Sequence, residues 1–220
     1  MNQYLDDYKW SNIFAMIRNL SAKPLRCADD FRHRLVVITG STSGIGYAAA
    51  RKFAAHGADL FFINRNEQKT TDLCDALKQE FNTDCAYFIA DFYRLSDVQQ
   101  AARELSFLDR DIDVLIHNAG IYNTTRTLTE DGMESVFQTN YLSTFILNYN
   151  LRQKLKKQKK GRIIYVNSEA YRFMVSGLHF DDLFWEKHRY SGLLSYGSAK
   201  LAQLLSMSKF DEFFRGSGIT

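Results

Sequence analysis

The sequence predicts an α/β fold, a doubly wound parallel sheet in a three-layer α/β/α arrangement, and three observations carry that prediction. Short apolar runs recur along the chain, each followed by a longer stretch of helical spacing. One of these runs passes through a glycine-rich turn directly into a helix. The chain has 220 residues of which 45% are hydrophobic, enough for one substantial core and leaving no room for a second domain.

The elements follow in order. Leu35–Ile38 is a fully apolar strand; Thr39-Gly40-Ser41-Thr42-Ser43-Gly44-Ile45-Gly46 forms the turn after it, and the alanine-rich Tyr47–His56 a helix. Asp59–Ile63 is a second strand ending at Asn64-Arg65, and Glu67–Phe81 a second helix. Cys85–Ala90 is a third strand ending at Asp91-Phe92. Ser96–Phe107 is a helix with Ser96 as its cap. Val114–His117 is a fourth strand, Met133–Lys157 a long helix and Arg162–Asn167 a fifth strand. A last helix runs from Ser191 or Leu194 to Phe214. Successive strand–helix–strand units place all strands parallel with helices on both faces.

Composition narrows the partners. The net charge is only +3, and much of the basic excess lies in Arg152–Arg162, where no aromatic residues interleave. That run reads as a solvated helix end, and no nucleic acid is expected. Cys27, Cys74 and Cys85 are odd in number, widely spaced and without a Cys-x-x-Cys pair. Free thiols in a reducing, cytoplasmic compartment are therefore expected, with neither a disulfide framework nor a structural zinc. His179 and His188 have no carboxylate pair or cysteine at ligand spacing, so no metal site is expected.

No run approaches the roughly 20 apolar residues that cross a bilayer, and Asp6, Asp7 and Lys9 interrupt any leader-like start. Residues 1–33 read as an N-terminal extension. Within it Trp10, Ile13, Phe14, Ile17 and Leu20 fall on one helical face. That face in residues 10–20 either docks on the protein or makes peripheral contact with the cytosolic face of a membrane; its weakly basic flanks favour docking.

Two motifs carry chemistry. A buried strand, a glycine turn and a helix start make a dinucleotide site, because glycines let the backbone approach a pyrophosphate and the helix N-terminus offers free N–H groups. The spacing here is Gly40-x-x-x-Gly44-x-Gly46. Further on, Tyr196-Gly197-Ser198-Ala199-Lys200 sets a phenol and an ammonium one helical turn apart. A tyrosine serves as a proton donor and acceptor near neutrality only when a cation stabilises its phenolate. Taken singly, such a pair is an ordinary solvated helix face, Ser168 a turn cap, and Asn140 a helix-kink hydrogen bond.

Together with Asn118-Ala119-Gly120 after the fourth strand, Asn140 and Ser168, these motifs resemble the short-chain dehydrogenase/reductase family from about Arg34 to Thr220. Arg162–Ala170, Phe180-Asp181-Asp182-Leu183 and the long gap from Ser168 to Tyr196 are similar to the branch containing retinol dehydrogenases and WW-domain oxidoreductase-like proteins. The resemblance implies that residues 34–220 form a Rossmann-like domain binding NADP(H), with hydride transferred between nicotinamide and a carbonyl or alcohol. Tyr196 would be the acid/base. Lys200 would support its phenolate and bind the nicotinamide ribose, Ser168 would hold the substrate oxygen, and Asn140 would anchor a relay water beside Lys200.

The resemblance also assigns cofactor contacts. Gly40, Ser41, Ser43, Gly44 and Gly46 would line the pyrophosphate with Ile45 covering it. Asn118, Ala119 and Gly120 would pack behind the adenosine, with Asp91 and Phe92 at the adenine. An acidic residue ending the second strand would bind the ribose of NAD and repel a phosphate; Asn64-Arg65 stands there instead, and arginine suits a phosphate. NADP(H) is therefore expected over NAD(H).

Tyr171, Phe173, Met174, Leu178, Phe180, Leu183, Phe184 and Trp185 either line a lipophilic, retinoid- or steroid-like substrate pocket or pack the insertion against the core. Family members pair two long helices across a dimer, here Met133–Lys157 and Leu194–Phe214, so a homodimer is expected. The family's C-terminal strands and substrate lid are expected to be absent. The alternative to an oxidoreductase is accordingly a truncated, catalytically weak or inactive relative that acts by binding cofactor or a partner.

Overall fold

The computed structural model describes residues 27–220 continuously, together with Phe14, Ile17, Arg18, Ser21 and Lys23. The expected amphipathic stretch Trp10–Leu20 otherwise lies outside the described residues. The packed body takes in Phe31, whose ring meets Phe53 edge-on at 5.0 Å and whose N–H donates to His56 O.

Five strands, β1 (Leu35–Thr39), β2 (Asp59–Asn64), β3 (Cys85–Ile89), β4 (Val114–His117) and β5 (Arg162–Tyr165), form one sheet in the order β3-β2-β1-β4-β5. All four pairings are parallel. Val37 in β1 stands opposite both Phe61 in β2 and Leu115 in β4. Alternation along the strands divides the core in two. Leu35, Val37, Phe61, Ile63 and Leu115 pack with one set of helices, whereas Val36, Ile38, Leu60, Phe62 and Ile116 pack on the other face. A strand buried on both sides needs an unbroken apolar run, and all five residues of β1 are buried.

Helices α1 (Gly44–Ala55) and α2 (Glu67–Phe81) cover the second face through Ala50, Ala54, Leu73 and Leu77. On the first face lie α3 (Leu95–Phe107), α4 (residues 135–158) and α5 (Gly192–Phe214), contributing Val98, Leu105, Leu147, Leu151 and Phe210. Helix α4 begins at Ser135–Phe137, passes through a π turn over Gln138–Leu142 and resumes as Ser143–Gln158. Chain order reverses direction between β1 and β4, which opens a crevice beyond their C-terminal ends. At the outer edge of β5, Ile163 N–H donates to Thr220 O and Thr220 N–H to Gly161 O, a parallel pairing at the chain's last residues.

Several boundaries differ from the sequence reading. Ser96 does not cap α3: the helix starts at Leu95, whose N–H is taken by Asp131 Oδ2 at 2.8 Å, a partner 36 residues away that local pattern does not reveal. Helix α1 starts at Gly44 rather than Tyr47, so the turn's last two glycines are helical. Strand β5 ends at Tyr165 rather than Asn167, because the Asn167 side chain turns back to accept from Ser168 N–H at 2.6 Å. The long helix carries a π turn where an uninterrupted α-helix was expected.

Candidate active site

The β1–α1 turn is held by polar side chains that bond to its backbone and to one another. Thr39 Oγ1 accepts from the N–H groups of Asn118 and Ala119, each at 3.0 Å, and Asn118 Nδ2 donates to Thr39 O at 3.1 Å and Gly40 O at 2.7 Å. These bonds clamp the ends of β1 and β4 together. Asn64 Oδ1 accepts from Ser41 N–H at 2.8 Å, and its Nδ2 donates to Ser41 Oγ at 3.0 Å, tying the turn to β2. Ser41 is wholly buried by this arrangement and does not face the cavity.

Glycine is needed here for space. A Cβ on Gly40, at φ +69°, would lie 2.8 Å from Ala119 Cα; one on Gly46 would lie 2.3 Å from Gly40 O and 2.4 Å from Asn118 Nδ2. Ser43 precedes α1 without any side-chain capping bond, and no acidic residue stands in the first turn. The opening N–H groups of α1 therefore remain available to an anion, which the positive helix end favours.

A cavity of about 570 Å³ opens from this turn across the C-terminal ends of the strands to α5. Of the sequence-predicted cofactor positions, Gly40, Ser43, Ile45, Asn64, Arg65, Asp91, Phe92, Asn118, Ala119 and Gly120 line it. Ser41, Gly44 and Gly46 do not, and shape the turn instead. Arg65 is exposed and makes no ion pair with a described residue. Asp91 Oδ1 accepts from Tyr93 N–H at 3.0 Å, while Phe92 is 6% exposed and belongs mainly to the core.

At the other end, Tyr196, Lys200 and Ser168 line the same cavity. The Lys200 Nζ lies 5.6 Å from the centre of the Tyr196 ring, and Tyr122 meets that ring edge-on at 5.7 Å. Burial pushes the Lys200 ammonium down to about 8. Its Nζ donates to Val166 O at 2.8 Å. Ser168 Oγ accepts from Ala170 N–H at 3.2 Å and so caps the short 3₁₀ turn Glu169–Phe173. Capping uses an acceptor lone pair and leaves the hydroxyl proton for a ligand.

Asn140 is fully buried in the π turn and does not line the cavity. Its Oδ1 accepts from Ile121 N–H at 2.7 Å, its Nδ2 donates to Ile121 O at 2.9 Å, and its own carbonyl accepts from Gln203 Nε2 at 3.1 Å. The π turn widens the helix at that residue, which is how a mid-helix carbonyl comes to accept from another helix.

The sequence reading missed Thr42, Tyr122, Thr139, Asn167 and Gln203. Tyr122 follows Asn118-Ala119-Gly120 directly, and Gln203 lies three residues beyond Lys200 on one helix face, so both were within reach of a spacing argument. Thr139 Oγ1 is buried without a partner among the described residues, and its residue lines the cavity. Conversely, none of the eight apolar insertion residues lines it. Leu178, Leu183 and Phe184 pack against Val136, Phe137 and Ala202; Met174 is buried, and Phe173 and Phe180 are exposed. Packing of the insertion is thus what this arrangement displays. Among the described residues no group of three or more His, Cys, Asp or Glu side chains could hold a metal, and no helix is long and apolar enough to cross a membrane.

An uncapped helix start, a backbone cradle too tight for a Cβ and an orphaned hydroxyl fit an extended, phosphate-bearing cofactor. Comparisons with known proteins agree. Residues 34–178 match the family model described as short chain dehydrogenase. The WW domain-containing oxidoreductase of Gallus gallus is 31% identical over 208 residues, which are 92% of this chain and 50% of that protein. Retinol dehydrogenase 13 of Homo sapiens is 30% identical over 188 residues, 85% and 56% of the two. Among solved structures, a short-chain dehydrogenase from Sphingobium yanoikuyae in complex with NADPH matches with a TM-score of 0.69 and 26% identity, covering 84% of this chain and 67% of that one. A Mycobacterium paratuberculosis protein matches with a TM-score of 0.73 and 33% identity, covering 86% and 66%. The chain spans about half the length of the curated relatives it matches. With more than half its residues under the family model, the chain belongs to the short-chain dehydrogenase family.

Proposed function

We propose that this chain is an NADP(H)-dependent oxidoreductase acting on a carbonyl or alcohol, with Tyr196 as the acid/base. The observation that carries the reading is the single cavity joining the uncapped α1 start and Arg65 at one end to Ser168, Tyr196 and Lys200 at the other. The bound nicotinamide would supply or accept the hydride. Gly40 and the first turn of α1 would hold the diphosphate through backbone N–H groups. Arg65, exposed at the cavity and without an ion pair to a described residue, would bind the ribose phosphate that distinguishes NADP.

The Ser168 hydroxyl would donate to the substrate oxygen while Tyr196 gives or takes its proton. Lys200 keeps positive charge beside Tyr196 and so favours the phenolate formed when the proton leaves. Asn64 is engaged by Ser41 on both side-chain atoms, and Arg65 beside it would set the preference.

The substrate reading is a lipophilic carbonyl or alcohol. Ile121, Tyr122 and Val166 give the Tyr196 end an apolar wall, and the relatives include a retinol dehydrogenase and a protein named for daunorubicin C-13 ketoreduction. Steady-state assays with NADPH on a panel of lipophilic aldehydes and ketones test the activity. Turnover that Tyr196→Phe abolishes is expected. Saturable NADPH binding without turnover across the panel would leave a cofactor-binding protein. Arg65→Asp should reverse the NADPH-over-NADH preference, and an unchanged affinity ratio would refute that assignment.

A further inference from the structure

Gln203 sits on α5 one turn beyond Lys200, is 1% exposed and does not line the cavity. Its amide joins three elements. The Nε2 donates to Asn140 O in the π turn at 3.1 Å, while Oε1 accepts from Asn167 Nδ2 after β5 at 3.2 Å and, at the longer reach of 3.5 Å, from Lys200 Nζ. Asn167 Nδ2 also donates to Lys200 O at 3.0 Å, so α5 is fastened to the end of β5 around this amide.

An ammonium has three donors in a tetrahedral arrangement. Val166 O takes one at 2.8 Å and Gln203 Oε1 a second. Fixing two directions fixes the third, and Lys200 is among the residues that line the cavity. With Val166 O alone, the head group would rotate about a single bond.

We propose that Gln203 is a positioning residue: its amide aims the Lys200 ammonium into the cavity and couples it to the Asn140 turn. This deepens the proposed NADP(H) activity and rests on it for the ammonium's ligand. The glutamine reaches a ligand only through Lys200.

The groups around the pair are few. Tyr196 on α5 faces the ammonium, Tyr122 lies beyond Tyr196, and the residues that β5 and the π turn bring to the pair, Val166, Asn167 and Asn140, are uncharged. Burial lowers the Lys200 value, and with no charged side chain among these groups a change in its titration on altering Gln203 reports on the amide beside it.

The test is a ¹³Cε-lysine NMR titration of the cofactor-free chain, with Lys200→Met assigning the resonance, together with NADPH fluorescence titration and thermal unfolding. Gln203→Leu removes an acceptor that favours the charged form, so Lys200 should lose its proton about half a pH unit to one unit lower than in the wild type. NADPH should then bind about five- to tenfold more weakly. Gln203→Glu keeps the acceptor and adds negative charge, so its Lys200 midpoint should move above the wild-type value. A merely structural glutamine would lower the melting temperature in both variants without displacing the midpoints in opposite directions. Unchanged midpoints in cooperatively melting variants would overturn the proposal. Should Gln203→Leu fail to fold, the direction given by Gln203→Glu decides. If the wild type binds no NADPH, the functional reading fails, while the lysine midpoints still decide the role of Gln203.

Discussion

The two ends of the cavity are built by different means. At the β1–α1 end the side chains of Thr39, Asn118, Asn64 and Ser41 all serve the turn, and the opening N–H groups of α1 are left for a ligand. At the α5 end the backbone is already spent in helix and strand, and the chemistry is carried by the side chains of Ser168, Tyr196 and Lys200. The first end is specified by conformation and leaves no room for a Cβ at Gly40 or Gly46; the second is specified by functional groups and by what holds them. Damage should therefore look different at each end. A single added methyl group should undo the cofactor end, whereas a single removed oxygen should silence the substrate end with the fold intact.

Tyr196→Phe should have the largest effect. Removing a positioned acid/base costs about 10²–10⁴-fold in rate, so turnover should fall by about a thousandfold while NADPH affinity and melting temperature stay near wild type; parallel loss of binding would blur the division between the ends. Gly46→Ala attacks the other end. Its Cβ would lie 2.3 Å from Gly40 O, an overpacking that should cost about 3 kcal/mol and weaken NADPH binding, read by urea unfolding and fluorescence titration.

His117, at the end of β4 beneath both ends, gives an acid-sensitivity test. Its ring nitrogen pairs with Asn148 Oδ1 at 2.8 Å, and burial holds it down to about 4 from its usual 6.5. Above pH 6.5 it is neutral in both folded and unfolded chains. Between 6.5 and 4 the unfolded chain binds the proton first, so stability should be lost across that window, by up to about 3 kcal/mol. Urea unfolding at pH 7 and pH 4.5 checks this, and a His117→Asn variant should show a shallower slope.

Lys200→Met should act in the opposite sense on the two properties. Below pH 8 the ammonium is charged in folded and unfolded chains, and its burial cost is present in full; as pH rises from about 8 toward 10.5 the folded chain releases the proton first and that cost fades. The cofactor-free variant should therefore be about 1–2 kcal/mol more stable than wild type at pH 7, with the gap closing as pH rises through that window, yet bind NADPH less well. Equal stability at pH 7 would show that the lost bond to Val166 offsets the relief. Phe180→Ser should do least. The ring is 77% exposed, and such surface changes stay within about 0.5 kcal/mol. A large loss of activity in a stable Phe180→Ser protein would move that residue from surface to substrate contact.

The succession of strands and helices and the cavity-forming ends were legible in the sequence because each is carried by local pattern: a five-residue buried run for β1, a glycine spacing for the turn, one helical turn between Tyr196 and Lys200. What escaped was non-local. Asp131 starts α3 from 36 residues away, and no propensity at Ser96 reveals that. Ser41 looked like a phosphate ligand by position, but the Asn64 amide turned it inward. The insertion's apolar residues could not be divided between pocket and core by composition, since both demand the same side chains. Gln203 was passed over because it bonds across elements to groups in the π turn and after β5.

The most direct measurement is a titration of the 220-residue chain with NADPH and, separately, NADH, following cofactor fluorescence and thermal unfolding in the same samples. Saturable binding that is tighter for NADPH is expected, with a melting temperature that climbs with cofactor concentration as it does for a native-state ligand. A chain that melts cooperatively yet shows no saturable binding of either cofactor would contradict it.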